Sequence, residues 1–305
     1  MNKYVLMFAF LLTAIGVSAQ NTDSLMNALN AGGNKNEPVI AAFKATRLIF
    51  SQTTETVKKN NLNFLVIHRF GDIGTVDGGA QTDFGLDRVQ DVYIGFEYGL
   101  SDNFNLDFGR STIGQLIELD AKWAVLHQST GGGSPIAITL YGGGGVHPYG
   151  YGLYNSFGSR MSYIAEAMFS RKFTPGFSLV VSPVYVSNNT ANPQITGVDK
   201  SFLSIAAAGR LKVTKHMSIL VDYEHPFSDF RTSDHGFYDP LGFGLEEETG
   251  GHVFTLNFTN SNSISQINTL SATQQSWTKG KYRFGFTISR MFDLKPKQHK
   301  DAAKY

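Results

Sequence analysis

The strongest constraint on the fold of this chain is an alternation of apolar and polar residues that recurs from residue 62 to residue 292. It is clearest in the segments VYIGFEYG (92–99), ILVDYE (219–224) and YRFGFTIS (282–289). Successive side chains of a β-strand point to opposite faces, so this period of two predicts strands with one apolar and one polar face. The segments come close to the 9–11 residues that a tilted strand needs to cross a bilayer.

A soluble β-sandwich or β-barrel would alternate in the same way, with its polar face in water. Two features favour a membrane barrel instead. Glycine is frequent on the polar faces, as a crowded lumen requires, and aromatic residues stand near the predicted strand ends, where interfacial girdles lie: Tyr98, Tyr141, Tyr223 and Tyr282. Charged residues are only 17% of the chain, against roughly 25% in soluble domains. We therefore predict an all-β fold, a transmembrane antiparallel barrel spanning residues 62–292.

The stretch LGFGLEEETGGHVFTLNFTN (241–260) decides the strand count. Read as one strand, it gives eleven strands and places the C-terminus outside the cell. Read as two strands that turn at Thr249-Gly250-Gly251, it gives about 12 strands and two periplasmic termini. Both glycines tolerate positive φ, so the tight turn is favoured. The other connections alternate between tight and long, which is typical of periplasmic turns and outer loops.

The N-terminus reads MNKYVLMFAFLLTAIGVSAQ, with Lys3 before an apolar run and small residues before Gln20. This pattern predicts a signal peptide over residues 1–19, because the run is too short for a spanning anchor helix. Residues 20–61 do not fit the strand count, and we expect a periplasmic lead-in, a plug in the lumen or a strand-like flap. The polar tail at 293–305 is expected to be disordered.

The motifs FKATRLIFSQTTETVKK, HRFGD, FGLD, IGFEYGLSD, GGHVF and YRFGFTISRMF occur in this order between about residues 40 and 292. In these motifs the chain resembles an uncharacterised outer-membrane β-barrel family of Bacteroidota, known only as a domain of unknown function. The resemblance implies an outer-membrane barrel and no activity, since the family supplies no catalytic or binding residues. The closing YRFGFTISRMF also resembles the aromatic-ended last strand that the barrel-assembly machinery uses.

If the apolar faces meet lipid, the polar faces carry charged side chains into the lumen. These candidate lumen-lining residues are Glu97, Asp107, Glu118, Asp120, Lys122, Glu166, Arg210, Asp222, Glu224 and Arg283. Buried ions must be paired or hydrated. The set therefore fits either a charge network in a filled interior or a hydrated pore, and its excess of carboxylates would favour cations in an open pore.

Few residues suggest catalysis. His216 and Ser218 would share one face of a strand and point inward, as a base and a nucleophile would, but no third residue is evident to orient them. Without cysteine, thiolate metal sites and covalently attached haem are excluded. His68 and His252 fall at opposite ends of the predicted barrel and cannot share a metal. We predict no enzyme activity, no metal site and no cofactor.

Two further motifs have modest interpretations. His147 lies in GGGGVHPYGYG, which would form either a surface loop or a constriction folded into the lumen. The cluster Glu246, Glu247 and Glu248 would be a solvated turn, with calcium or a basic periplasmic partner as alternatives. Once Lys3 leaves with the signal, 25 basic residues balance 25 acidic ones, so nucleic-acid binding is not expected.

The sequence thus favours a channel for small polar solutes or ions, in contact with outer-membrane lipid. The main alternative is a structural or accessory barrel with a filled lumen that docks a periplasmic protein. A membrane-embedded lipid hydrolase is a weaker alternative. A continuous polar path would indicate the channel, whereas residues 41–60 or a loop inside the lumen would indicate the accessory barrel.

Overall fold

The chain is described by a computed structural model that covers residues 37–74, 78–148, 156–189 and 197–295. These residues form one closed antiparallel barrel of twelve strands, in which sequence neighbours pair and β1 pairs with β12. The strands are β1 (Asn61–Asp72), β2 (Val89–Ser101), β3 (Phe104–Ser111), β4 (Ile117–Leu126), β5 (Ala137–Val146), β6 (Met161–Thr174), β7 (Phe177–Asn188), β8 (Ser201–Lys212), β9 (Met217–Phe227), β10 (Leu241–Thr249), β11 (His252–Thr259) and β12 (Arg283–Asp293). The predicted fold class and strand count are confirmed.

The stretch from 241 to 260 forms two strands, as its Gly-Gly corner predicts. Thr249 pairs with His252 and Leu245 with Leu256 across the β10–β11 ladder. Gly250 has a φ of 60°, a left-handed conformation that glycine adopts without the cost other residues meet. The turn therefore sets the even strand number and brings β12 back to β1.

The connections divide the barrel into two ends. The turn end carries the links 102–103, 127–136, 175–176, 213–216 and 250–251, together with the start of β1 and the end of β12. The loop end carries the remaining links, of which 112–116 is short. Every described helix lies in a loop-end link: the α-helix α1 (Gln266–Ala272) and the short 3-10 helices Ala80–Gly85, Ile113–Gln115, Gly158–Arg160, Ser233–His235 and Trp277–Lys279.

Large apolar side chains cover the outer face of the barrel. Leu119, Trp123 and Leu203 are at least half exposed, and Phe96 and Phe243 are only slightly less so. An exposed apolar band of this kind is what lipid contact requires. No helix among the described residues is long and apolar enough to span a membrane.

The interior of the barrel is filled by two parts of the chain. Residues 37–60, here called the N-terminal segment, bury Phe43, Leu48 and Phe50 in one apolar cluster with Ile267 and Leu270 of α1. The barrel wall contributes apolar side chains to this cluster from β5 to β9: Tyr141, Ile164, Met168, Val180, Val184, Val186, Phe202, Ala206, Ala208 and Leu220. The core of this barrel therefore lies in what would otherwise be its lumen.

The N-terminal segment folds back on itself without joining the barrel sheet. Arg47 and Gln52 form an isolated antiparallel bridge, and the N–H of Leu48 donates to the carbonyl oxygen of Ser51 at 2.9 Å. Because it adds no thirteenth strand, the even strand number is preserved. The predicted signal peptide, residues 20–36 and the tail from residue 296 onward lie outside the described residues.

Candidate functional site: the lumen and its N-terminal segment

All ten charged residues that the sequence analysis assigned to the lumen are buried side chains of the barrel strands. These ten side chains are not gathered at one site in the barrel. Glu97, Asp107, Glu118 and Asp120 follow one another around β2, β3 and β4, whereas Asp222 and Glu224 lie on β9 across the interior. What joins several of them is contact with the N-terminal segment or with the connection that contains α1.

Asp222 makes the most concentrated contact with the N-terminal segment. Its Oδ2 accepts the backbone N–H groups of Ile49, Phe50 and Ser51 at 3.1, 2.8 and 3.0 Å. Its Oδ1 accepts the hydroxyl of Ser51 at 2.6 Å. A carboxylate that is fully buried thereby receives four donors, which offset the cost of removing its charge from water.

Lys122 holds the same segment from the opposite part of the wall. Its Nζ donates to the carbonyl oxygen of Thr46 at 2.8 Å and to Oε1 of Gln52 at 3.0 Å. The ammonium also lies over the ring of Tyr141, 5.9 Å from its centroid. Lys122 has no exposed surface, so its ammonium contacts the N-terminal segment and the barrel interior and not the solvent.

Further contacts tie the segment to other strands. The hydroxyls of Thr54 and Ser170 are 2.6 Å apart, and Thr139 donates to the carbonyl oxygen of Thr54 at 3.0 Å. At the turn end, the Lys44 ammonium and the Glu248 carboxylate form an ion pair at 3.0 Å. Strands β4, β5, β6, β9 and β10 all take part, so the segment is anchored around the circumference of the barrel.

Glu55 adds a titratable group inside the segment. Its Oε1 accepts the backbone N–H of Phe43 at 3.1 Å, which closes the segment into a compact loop. Burial raises the pKa of Glu55, and the hydrogen bonds from Phe43 and Ala42 oppose that effect. Glu55 therefore holds its proton more tightly when the segment is docked than when the segment is free in water.

The loop-end connection 260–282 enters the interior from the other side. The N–H of Ile264 donates to Oδ2 of Asp91 at 2.9 Å, and the Ser265 hydroxyl donates to Glu118 at 2.6 Å. Gln266, at the start of α1, donates to Glu224 at 2.9 Å. This connection lies at the loop end of the barrel, and the sequence did not predict that it contains a helix inside the interior. The helix lies inside the barrel because its apolar residues Ile267 and Leu270 pack against the wall.

The acidic cluster beside the β10–β11 turn is not a solvated turn. Glu246 is buried and pairs with Arg210, with Nε and Oε1 2.6 Å apart. Glu248 pairs with Lys44, and only Glu247 points outward. The alternation of the strand carries Glu246 inward, which separates three consecutive glutamates into different environments.

Arg69 and Asp91 are among the interior residues that the sequence did not predict. Arg69 has no exposed surface, donates to Oδ1 of Asn257 and lies over the Phe50 ring, 5.8 Å from its centroid. Asp91 accepts the hydroxyl of Ser111 and the N–H of Ile264 at 2.8 and 2.9 Å. Strand β1 carries Leu65 and Ile67 on the same inward face, so the apolar–polar alternation that would have revealed Arg69 is absent there.

The structure also places Tyr141, the His216–Ser218 pair and His147. Tyr141, expected in an interfacial girdle, is buried inside, where its ring meets Lys122. His216 is exposed whereas Ser218 is buried, so the two do not form the inward pair expected of a base and a nucleophile. His147 Nδ1 contacts the carbonyl oxygen of Gly114 at 2.6 Å, and residues 149–155 of its loop lie outside the described residues. Among the described residues, no group of three or more His, Asp or Glu side chains could hold a metal ion.

Comparison with protein families identifies the architecture. A family model described as "Membrane bound beta barrel domain (DUF5777)" matches residues 43–292. The chain belongs to this membrane-bound β-barrel family. The match runs from within the N-terminal segment to the penultimate residue of β12. No curated protein matches the chain.

Several solved structures share the barrel shape. The KdgM porin has a TM-score of 0.48 at 8% identity, with 75% of this chain and 99% of that chain covered. An outer membrane channel from Pseudomonas putida F1 has a TM-score of 0.48 at 11% identity, covering 78% and 98%. The NanC porin has a TM-score of 0.47 at 8% identity, covering 75% and 98%. Identities and scores this low do not bear on function.

Proposed function

We propose that this membrane-bound barrel is an outer-membrane channel for small polar solutes or ions. In this proposal the N-terminal segment and α1 together close the channel in its resting state. In this proposal the turn end faces the periplasm, because outer-membrane barrels have short periplasmic turns and longer outer loops. The N-terminal segment then enters the lumen from the periplasm, and α1 enters from outside.

The observation that carries the proposal is the bonding of Asp222 to Ile49, Phe50 and Ser51. A wall carboxylate that is bonded by a separate segment can exchange those donors for water when the segment leaves. Lys122 can do the same with its bonds to Thr46 and Gln52. Charged side chains suit a wall that is hydrated part of the time, because a permanently dry interior is filled at least as well by apolar residues.

The lining also predicts the kind of solute. Seven of the ten charged wall residues named above are carboxylates and three are basic. Once the N-terminal segment has withdrawn, this excess of negative charge favours cations over anions. Ion selectivity is therefore the first property to measure.

A second candidate function has an observation of its own. Phe43, Leu48 and Phe50 pack against the valines of β7 and against α1 in one apolar cluster. Such a dry contact favours a permanently filled barrel, whose N-terminal end would dock a periplasmic protein. The two functions share a closed resting state and differ in whether the segment ever leaves.

Single-channel current in a planar bilayer separates the two candidates. Four refolded proteins are compared at two salt gradients: the mature chain, a variant lacking residues 20–57, a variant with 262–275 replaced by a short Gly-Ser link, and the double variant. We expect the mature chain to be mostly silent and the double variant to give the largest steady current, with a cation-biased reversal potential.

Each protein must first show the heat-modifiable gel mobility of a folded barrel. Silence of all four folded proteins would contradict the channel proposal and leave the accessory barrel. An anion-biased reversal potential would contradict the role assigned to the wall carboxylates while leaving the channel intact.

A further inference from the structure

A separate cavity lies at the loop end of the barrel, outside the filled interior. Its volume is about 700 Å³, and it lies where β9 ends and β10 begins, between the 228–240 and 260–282 connections. Tyr223 and Phe227 on its margin are among the exposed residues of the outer barrel face. The cavity, here called the rim pocket, therefore opens beside the surface that meets lipid.

One wall of the rim pocket is a fixed aromatic side chain. Trp277 stacks on Tyr282 with 5.2 Å between ring centroids and an interplanar angle of 12°. Phe243 meets Trp277 edge-on at 5.5 Å, and the indole N–H donates to the carbonyl oxygen of Leu241 at 2.8 Å. Three contacts hold the indole in place, so the pocket presents an ordered aromatic surface without a cost in side-chain ordering.

Other residues of the lining offer hydrogen-bond acceptors. Oδ2 of Asp239 accepts from the Tyr223 hydroxyl and from Nδ1 of His225. Within the described residues, Oδ1 of Asp239 and both carboxylate oxygens of the exposed Asp229 have no donor. Asn260 uses its side-chain amide on the carbonyl oxygens of Asp239 and Gln275, both at 2.8 Å, and so joins the two connections that form the pocket.

The rim pocket carries charges of both signs. The carboxylates of Asp229 and Asp239 and the guanidinium of Arg231 line it, and the ammonium of the neighbouring Lys279 donates to the hydroxyl of the lining residue Tyr238 at 2.7 Å. A phosphate or a multivalent cation would need an excess of one sign. An uncharged molecule rich in hydroxyl groups needs acceptors, donors and an apolar face, which are the groups present.

We propose that the rim pocket binds a saccharide, with hydroxyl groups donating to Asp229 and Asp239 and one sugar face lying against Trp277. The opening beside the lipid-facing surface favours the saccharide headgroup of a membrane amphiphile, whose alkyl chain would run along Tyr223 and Phe227. A free saccharide has the same headgroup chemistry without the chain. This binding site is independent of whether the barrel conducts.

The chain has two tryptophans, so Trp123→Phe leaves Trp277 as the sole indole. The full mature chain with this substitution is held in dodecyldimethylamine oxide, which carries no sugar, and its emission is titrated with three probes. Dodecyl maltoside has the sugar and the chain, maltose has the sugar alone, and octaethylene glycol monododecyl ether has the chain alone. Asp229→Ala tests the pocket, and Asp234→Ala, an exposed carboxylate in the same connection that does not line the pocket, is the matched control.

We expect a saturable change in Trp277 emission with dodecyl maltoside, at least tenfold weaker in the Asp229→Ala protein and unchanged in Asp234→Ala. Maltose that binds as tightly as the maltoside would support the saccharide site and identify a soluble glycan as its source. The proposal is overturned if the ether produces the same change as the maltoside, if neither sugar gives a saturable change, or if Asp229→Ala has no effect.

Discussion

The ammonium of Lys122 in strand β4 donates a hydrogen bond to the main-chain carbonyl oxygen of Thr46 at 2.8 Å. A buried cation of the barrel wall therefore depends on a segment that is not part of the wall. The same holds for the Asp222 carboxylate on β9, which is bonded to Phe50. The wall and the N-terminal segment stabilise each other, and the first two predictions test this from each side.

Replacing Lys122 by methionine should lower the free energy of unfolding by about 2–3 kcal/mol. The reason is that Thr46 and Gln52 lose a charged donor and remain buried without a partner. Urea unfolding of the folded barrel in detergent measures the change. Lys212→Met, at an exposed lysine of β8, is the control and should leave the unfolding midpoint in place. Equal midpoints for both variants would show that the Lys122 contact contributes nothing to stability.

Replacing Asp222 by alanine should release the N-terminal segment while the barrel remains folded. Loss of the carboxylate leaves the N–H groups of Ile49, Phe50 and Ser51 without their acceptor, which we expect to cost about 3 kcal/mol. Arg47 is buried, so tryptic cleavage after it requires undocking, and its rate should rise about a hundredfold. The control is Glu247→Gln, at an exposed carboxylate of the next strand. Unchanged cleavage in the Asp222→Ala protein would contradict the proposed contact.

Position 99 has no room for a side chain, because the N-terminal segment passes close to Gly99 where it enters the barrel. A Cβ at this position would overlap the backbone carbonyl oxygens of Val57 and Lys58. Gly99→Ala should therefore displace residues 57–60, at a cost of about 1–3 kcal/mol, and speed tryptic cleavage after Lys58 and Lys59. Gly209→Ala is the matched control, since its nearest atoms lie at 3.8 Å. Equal cleavage rates in the two alanine variants would contradict this account of the entry point.

Docking of the N-terminal segment should weaken as the pH rises above the ordinary pKa of a glutamate. Burial raises the pKa of Glu55 in the docked state, so docking takes up a proton. The contribution of Glu55 is fully present below its ordinary pKa and is lost as the pH rises through the raised value. Thermal unfolding of the wild-type chain and of Glu55→Gln, followed by circular dichroism between pH 4 and 8, isolates this contribution. A difference between the two proteins that does not change with pH would contradict the assignment.

The fold was predictable from the sequence because lipid contact imposes a regular pattern on one face of each strand. The Gly250-Gly251 corner then fixed the strand number, and the inward charged residues followed from the opposite face. These inferences need only the period of two, which does not depend on what fills the barrel.

The filling of the barrel was not predictable in the same way. Strand β7 carries Val180, Val184 and Val186 inward, and β1 carries Leu65 and Ile67 inward. Inward-pointing apolar residues on such strands indicate that an apolar part of the chain packs against them inside the barrel. The sequence-based prediction rested on the strands with the clearest alternation, and β1 and β7 are not among them. It therefore kept the plug as one of three alternatives for residues 20–61 and missed α1.

The central claim is that withdrawal of the N-terminal segment opens the barrel, and a reversible crosslink tests it most directly. The hydroxyls of Thr54 and Ser170 are 2.6 Å apart, and the chain contains no cysteine, so Thr54→Cys with Ser170→Cys allows one disulfide between segment and wall. Current is recorded before and after reduction in the Asp222→Ala protein with residues 262–275 replaced by the Gly-Ser link, so that α1 does not close the barrel, and disulfide formation is verified by mass. We predict that the oxidised protein is closed and that reduction restores the openings of the same protein without the two cysteines. The same current in the oxidised and reduced states would contradict the claim.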